Sequence, residues 1–256
     1  MYRAKPSDGI AWVTGASSGI GRQVAFELAR RGYHVAISAR RVDELSALAE
    51  LVPGKISVWP CDITDRASTE ETFRAIEAAH GPVVLAFLNA GTYFPDGSNI
   101  LDVSRIMATY DINVGGTVNC LGPLVNTMQA RGRGQVAINA SVAGYGGLPK
   151  SIAYGSSKAA LINMASALRL TYQAMNLNIQ VVCPGFVKTP LTSKNAFPMP
   201  FIVPVEEAAP RICEGFETAG FEITFPRRLS WILKALNMLP YGLYFALMAK
   251  ATAGRK

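Results

Sequence analysis

Tyr154 and Lys158 stand four residues apart in a segment, 151–175, that is long enough for a helix. That spacing puts both side chains on one helix face. An ammonium beside a phenol favours the phenolate, and each unit of pKa below the usual value of about 10 corresponds to about 1.4 kcal/mol. Such a pair can pass a proton to or from an oxygen atom near neutral pH, with Tyr154 as the acid or base. Alone it proves little, because Tyr-x3-Lys occurs by chance on many helices. A second motif adds weight. Thr14-Gly15-Ala16-Ser17-Ser18-Gly19-Ile20-Gly21 follows an apolar run, 10–14, and opens a helix-period run, 19–31. Glycines at this spacing let the backbone approach a pyrophosphate held at the positive end of a helix. A strand before and a helix after are the context that mechanism requires.

The same stretch fits G-x-S-x-G, a nucleophile elbow, through Gly15, Ser17 and Gly19, with Asp62 and His80 following in triad order. A hydrolase elbow normally comes after several strands, whereas this one caps the first. With His80 the only histidine after Asp62, most of the sheet would follow a finished triad. We set that reading aside.

The elements that must position these residues read as short apolar runs at 10–14, 34–39, 55–60, 83–89, 134–140, 178–183 and 222–225. Longer helix-period segments lie between them. Strands apolar throughout and joined by helical crossovers predict a seven-stranded parallel sheet covered on both faces, an α/β doubly wound Rossmann fold. Its ligand crevice lies beyond the carboxyl ends of the strands.

The 256 residues are half hydrophobic and 17% charged, which excludes a disordered chain. Cys61, Cys120, Cys183 and Cys213 are 59, 63 and 30 residues apart with no C-x-x-C. Only His34 and His80 could join them, so no metal site is expected, and the thiols read as reduced and buried. The N-terminus lacks a signal-peptide apolar core, and no run of 18 apolar residues occurs. A cytoplasmic protein is the expectation.

With these motifs in order, the chain resembles the short-chain dehydrogenase/reductase family. Beyond the glycine loop, the resemblance rests on Cys61-Asp62-Ile63, Asn89-Ala90-Gly91, Asp111-Ile-Asn113-Val, Ser141, Tyr154-Gly-Ser-Ser-Lys158, and Pro184-Gly185 with Thr189. It spans about residues 9–225. Val84 stands where the family often has aspartate, and Leu88 replaces the first asparagine of its Asn-Asn-Ala-Gly. The resemblance implies hydride transfer between a nicotinamide and a ketone or secondary alcohol. Tyr154 would be the acid or base, and Ser141 would donate a hydrogen bond to the substrate oxygen. Lys158 would tune Tyr154 and hold the nicotinamide ribose, and Asn113 would support Lys158 through water. It also implies cofactor contacts from Gly15, Ser17, Ser18, Gly19, Ile20, Gly21, Asp62, Ile63, Asn89, Ala90, Gly91, Pro184, Gly185, Val187 and Thr189. A homodimer or homotetramer is expected from the family. The competing reading is a non-catalytic NADP(H)-binding sensor or scaffold, against which the intact Asn113, Ser141, Tyr154 and Lys158 argue.

After the second strand an acidic residue would accept the 2′-hydroxyl of NAD, and an arginine the 2′-phosphate of NADP. Ala39 occupies the acidic place and Arg40 and Arg41 follow, which predicts NADP(H). A solvated arginine pair at a strand end is the alternative. Phe94, Tyr145, Phe197 and Phe201 supply apolar bulk that favours a lipophilic substrate, or else ordinary lid packing.

The formal charge is +7, yet residues 226–256 hold six basic side chains and no acidic one. That leaves 19 basic against 18 acidic in 1–225, a net of +1. The basic excess therefore belongs to an apolar C-terminal extension, 226–256, beyond the catalytic region 1–225. No nucleic-acid motif accompanies it. Its Trp, Tyr and basic flanks fit a peripheral anchor at a membrane surface. They fit equally a cover for the substrate cleft or a subunit interface.

Overall fold

A computed structural model describes residues 1–95, 101–195 and 199–252. The apolar runs become strands, hidden on both faces inside the sheet and partly buried at its two edges. β1 (Ile10–Thr14) is followed by α1 (Gly19–Arg30), β2 (Val35–Ser38), α2 (Val42–Ala49) and β3 (Ile56–Val58). Then come α3 (Arg66–His80), β4 (Val83–Leu88), α4 (Val103–Tyr110), α5 (Gly116–Arg131) and β5 (Gly134–Asn139). α6 (Ile152–Tyr172), β6 (Leu177–Pro184), the two-residue pair β7 (Val187–Lys188) and β8 (Val203–Pro204), and α7 (Val205–Phe216) follow. β9 (Glu222–Phe225), α8 (Arg227–Asn237) and α9 (Tyr241–Thr252) end the described chain.

The main sheet runs β3-β2-β1-β4-β5-β6-β9, and every pairing is parallel. This is the predicted Rossmann architecture. Period-two alternation sends Ala11 and Val13 to one face, where Val24, Leu28, Leu45, Leu48, Ile212 and Phe216 cover them. Ile10 and Trp12 face the other way, under Phe73, Ile76, Leu124, Met128 and Leu161. Buried polar side chains find partners inside the sheet. Trp12 Nε1 donates to Ser38 Oγ at 2.9 Å, and Gln135 Nε2 donates to Gln180 Oε1 at 2.7 Å and to the Phe216 carbonyl at 2.8 Å. All four cysteines are free and buried; burial pushes the Cys183 and Cys213 thiols up to about 12, and that of Cys120 higher still.

Strand order reverses between β1 and β4, so their carboxyl ends open a crevice. Close packing of backbone holds that point. Gly15, at φ +66°, leaves no room for a side chain, because a Cβ there would lie 2.7 Å from the Ala90 Cα. A Cβ at Gly21 would lie 2.3 Å from Asn89 Nδ2 and 2.4 Å from the Gly15 carbonyl oxygen. Gly21→Ala is therefore expected to destabilise the fold by about 1–3 kcal/mol through overpacking. Thermal unfolding should show a Tm lower by several degrees, and an unchanged Tm would contradict the packing described.

Candidate active site

A line of polar side chains crosses the carboxyl ends of the central strands. Thr14 Oγ1, ending β1, accepts from the backbone N–H groups of Asn89 (3.1 Å) and Ala90 (3.2 Å). Asn89 Nδ2 returns the contact to the carbonyls of Thr14 and Gly15 at 3.2 and 3.3 Å. Asn139 Nδ2, ending β5, donates to Asn89 Oδ1 at 2.9 Å. The line closes on the ammonium of Lys158, which donates to the Asn139 carbonyl at 2.7 Å. β1, β4, β5 and α6 are thereby tied in one register. The sequence names Thr14 only as the first residue of the glycine loop and gives Asn139 no site role; the available signal is a polar residue at the last position of an apolar strand.

Tyr154 and Lys158 lie near the start of α6, as their spacing predicts, with Lys158 Nζ 5.6 Å from the Tyr154 ring centroid. Tyr93 packs edge-on against Tyr154, centroids 5.3 Å apart. Burial dominates the electrostatics. Desolvation pushes the Tyr154 phenol up to about 12, with a hydrogen bond to Ser141 pulling the other way. Desolvation also pushes Lys158, 3% exposed, down to about 8. The phenol is thus raised where the Tyr-x3-Lys spacing predicts a lowered one: both groups have lost water, and burial outweighs the Ser141 bond. A neutral phenol results, which is the donor form.

Ser141 caps a short turn, Val142–Gly144. Its Oγ accepts from the Ala143 N–H at 3.1 Å and donates to the Pro184 carbonyl across a long 3.4 Å. Asn113, fully buried in a π-helical turn between α4 and α5, touches neither Tyr154 nor Lys158 with its side chain in any hydrogen bond. Its Oδ1 accepts from the Thr92 N–H (2.7 Å), and its Nδ2 donates to the Thr92 carbonyl (3.1 Å) and Ser157 Oγ (3.0 Å). Ser157 Oγ in turn donates to the Tyr154 carbonyl at 2.8 Å. Asn113 therefore pins the loop after β4 to the helix that carries Tyr154, and it lies behind the cleft wall.

The cleft itself, of about 330 Å³, is lined by Gly15, Ser17, Ser18, Gly19 and Ile20, then by Arg40, Arg41, Asp62, Ile63, Asn89, Ala90 and Gly91. Ser141, Tyr154, Lys158, Pro184, Gly185, Val187 and Thr189 complete the expected set. Gly21 lies behind the wall, in the packing described above. Lining residues absent from the sequence reading include Thr92, Ile112, Asn139, Leu191 and Thr192. Thr192 shapes the wall, its Oγ1 accepting from the Thr189 N–H at 3.0 Å and donating to the Val187 carbonyl at 2.7 Å. At the far end Arg41 donates to Ser17 Oγ at 3.0 Å, and Arg40 Nη1 lies 4.0 Å from Asp62 Oδ2. Bonds from the Thr64 N–H and hydroxyl, then the Arg40 charge, hold the Asp62 carboxyl below its usual range. Arg40 is 71% exposed by side chain, so its guanidinium can turn toward a ligand.

None of Phe94, Tyr145 and Phe201 lines the cleft, and Phe197 lies outside the described residues. The Tyr145 hydroxyl is taken up by Glu222 Oε1 at 2.7 Å and Thr224 Oγ1 at 3.2 Å, at the base of the C-terminal helices.

A nicotinamide dinucleotide fits these walls. The left-handed φ of Gly15 (+66°) and Gly19 (+55°) keeps the loop low under the α1 N-terminus, where a pyrophosphate binds. A family model described as short chain dehydrogenase matches residues 9–197. The chain belongs to that family. An uncharacterized oxidoreductase of Myxococcus xanthus is 35% identical over 92% of this short-chain dehydrogenase and 94% of its own length. A Streptomyces avermitilis short-chain dehydrogenase structure superposes with a TM-score of 0.80 at 21% identity, covering 96% of this chain and 99% of the other. The NADP-bound structure of ElxO gives a TM-score of 0.74 at 25% identity, over 84% and 96%. Membership makes the protein an oxidoreductase of a family that uses nicotinamide cofactors on small molecules.

Proposed function

We propose that the protein is an NADP(H)-dependent reductase and alcohol dehydrogenase, moving a hydride between nicotinamide and a ketone or secondary alcohol. The meeting of Tyr154, Lys158 and Ser141 in the cleft that the glycine loop and Arg40 also line carries this reading. The NADP-bound neighbour and the absence of an acidic residue at Ala39 support the phosphorylated cofactor. Arg40 is the main contact for the 2′-phosphate and Arg41 the lesser one. Lys158 holds the nicotinamide ribose, and Asp62 with Ile63 the adenine end. The bound cofactor supplies the hydride in reduction and accepts it in oxidation.

The protein's own groups manage the oxygen. Ser141, already held by the Ala143 N–H, turns its hydroxyl from the long Pro184 contact toward the substrate carbonyl. Tyr154, neutral at working pH, gives its proton to the oxygen as negative charge develops there. The Lys158 ammonium balances the phenolate left behind. Ile112, Val187, Pro190 and Leu191 make part of the wall apolar, which supports a lipophilic carbonyl substrate.

NADPH oxidation against a panel of ketones, aldehydes and long-chain keto-lipids tests the reading. Tyr154→Phe should lower kcat by about 10²–10⁴-fold with NADPH affinity kept; wild-type turnover would end the assignment. NADPH binding without turnover on any carbonyl would favour a sensor instead. The value of about 8 for Lys158 implies that kcat/KM for reduction falls as pH rises through that region, where the free enzyme loses its ammonium; a flat profile to pH well above it would contradict the role of Lys158. Arg40→Ala should raise KM for NADPH by about 10–100-fold, the worth of a charge-assisted bond, and leave NADH little changed.

A further inference from the structure

The C-terminal helices leave a large apolar surface uncovered. Along α8 the exposed stripe runs Arg228, Trp231, Ala235, Met238 at helical spacing, while Ser230 faces inward. Trp231 is 70% exposed, Met238 86%, and Ile232 beside them 51%. α9 is apolar on every side up to Lys250 in its last turn: Tyr244 is buried, yet Tyr241 is 78% exposed, Phe245 61% and Leu243 51%. A helix of that composition is normally enclosed in a core or in lipid.

We propose that α8 and α9 form a docking face for an anionic lipid bilayer. Charge selects this occupant. Among the described residues Arg227, Arg228 and Lys250 have no carboxylate partner, and residues 226–256 contain no acid. A second copy meeting this face across a two-fold axis would bring the same cations together with nothing to offset them. Anionic headgroups offset them, while Trp231 and Tyr241 suit the boundary between headgroup and acyl chain. The helices lie on the surface rather than cross it. At 11 and 12 residues each is under about 20 Å long, against a hydrocarbon core of about 30 Å. No described helix is long and apolar enough to span.

The face is held firmly. Lys234 pairs with Glu222 and lies 5.1 Å over the Tyr145 ring, and Ser230 Oγ bonds Thr224 Oγ1 at 2.6 Å. Tyr244 donates to the Gly147 carbonyl at 2.7 Å. The helices are thus braced against the segment 145–147, a few residues beyond Ser141.

The test is co-sedimentation of the full chain with phosphatidylglycerol–phosphatidylcholine vesicles and with phosphatidylcholine vesicles. The full chain should pellet with the first and stay largely in solution with the second, less so as salt rises. Arg227→Gln and Arg228→Gln should each weaken partition roughly fivefold. The triple variant Trp231→Ser, Tyr241→Ser, Phe245→Ser should remain in solution at wild-type Tm. Failure to pellet with anionic vesicles, equal binding to both vesicles, or wild-type binding by the triple variant would overturn the proposal. So would sedimentation velocity showing a dimer that the triple variant abolishes, since the face would then be a self-interface. No readout uses turnover, so failure here leaves the proposed reaction standing, and an inactive enzyme leaves the binding result standing.

Discussion

The ammonium of Lys158 rests on the carbonyl of Asn139, and most of the site depends on that contact. The carbonyl ends β5, and the side chain of the same residue reaches back through Asn89 to Thr14 at the end of β1. A parallel sheet leaves its carboxyl edge with backbone groups that no further strand can satisfy. Here three polar side chains satisfy part of that edge and make it rigid. The glycine loop, the loop after β4 and the first turn of α6 inherit their positions from it. Asn113 repeats the arrangement one layer back, bonding the backbone N–H and carbonyl of Thr92 and, through Ser157, the carbonyl of Tyr154.

Burial has a chemical effect as well as a structural one. Taking Tyr154 and Lys158 out of water raises one pKa and lowers the other, so each is pressed toward its neutral form. Water held near a phenol would stabilise its anion in either direction of reaction. Excluding it leaves that task to the ammonium and to Ser141, whose contributions matter most as charge moves onto the substrate oxygen.

The strands and the glycine loop were legible because their signals are local: apolar runs, helix period, and glycine where a left-handed φ or a close contact allows nothing else. Tyr154 and Lys158 were legible through spacing alone. Tyr145 shows the limit. Its place after Ser141 suggested the substrate, but its hydroxyl is claimed by Glu222 and Thr224, some eighty residues later in the chain, and no local pattern encodes that pairing. The direction of the Tyr154 shift was hidden for the same reason, since desolvation depends on everything packed around the ring. The β7–β8 pair is too short, at two residues a strand, to carry any periodicity.

The four buried thiols lend the molecule a built-in clock for its own opening. Cys61 lies after β3 at the cleft rim, Cys213 in α7 packs on one face of the sheet, and Cys120 in α5 and Cys183 in β6 belong to the core on the other. Cys120, Cys183 and Cys213, their pKa driven upward by burial, are poor nucleophiles, and a soluble alkylating reagent meets them only after the surrounding layer parts. The order in which these sulfurs become labelled would therefore trace which layer loosens first, without any probe being added to the chain.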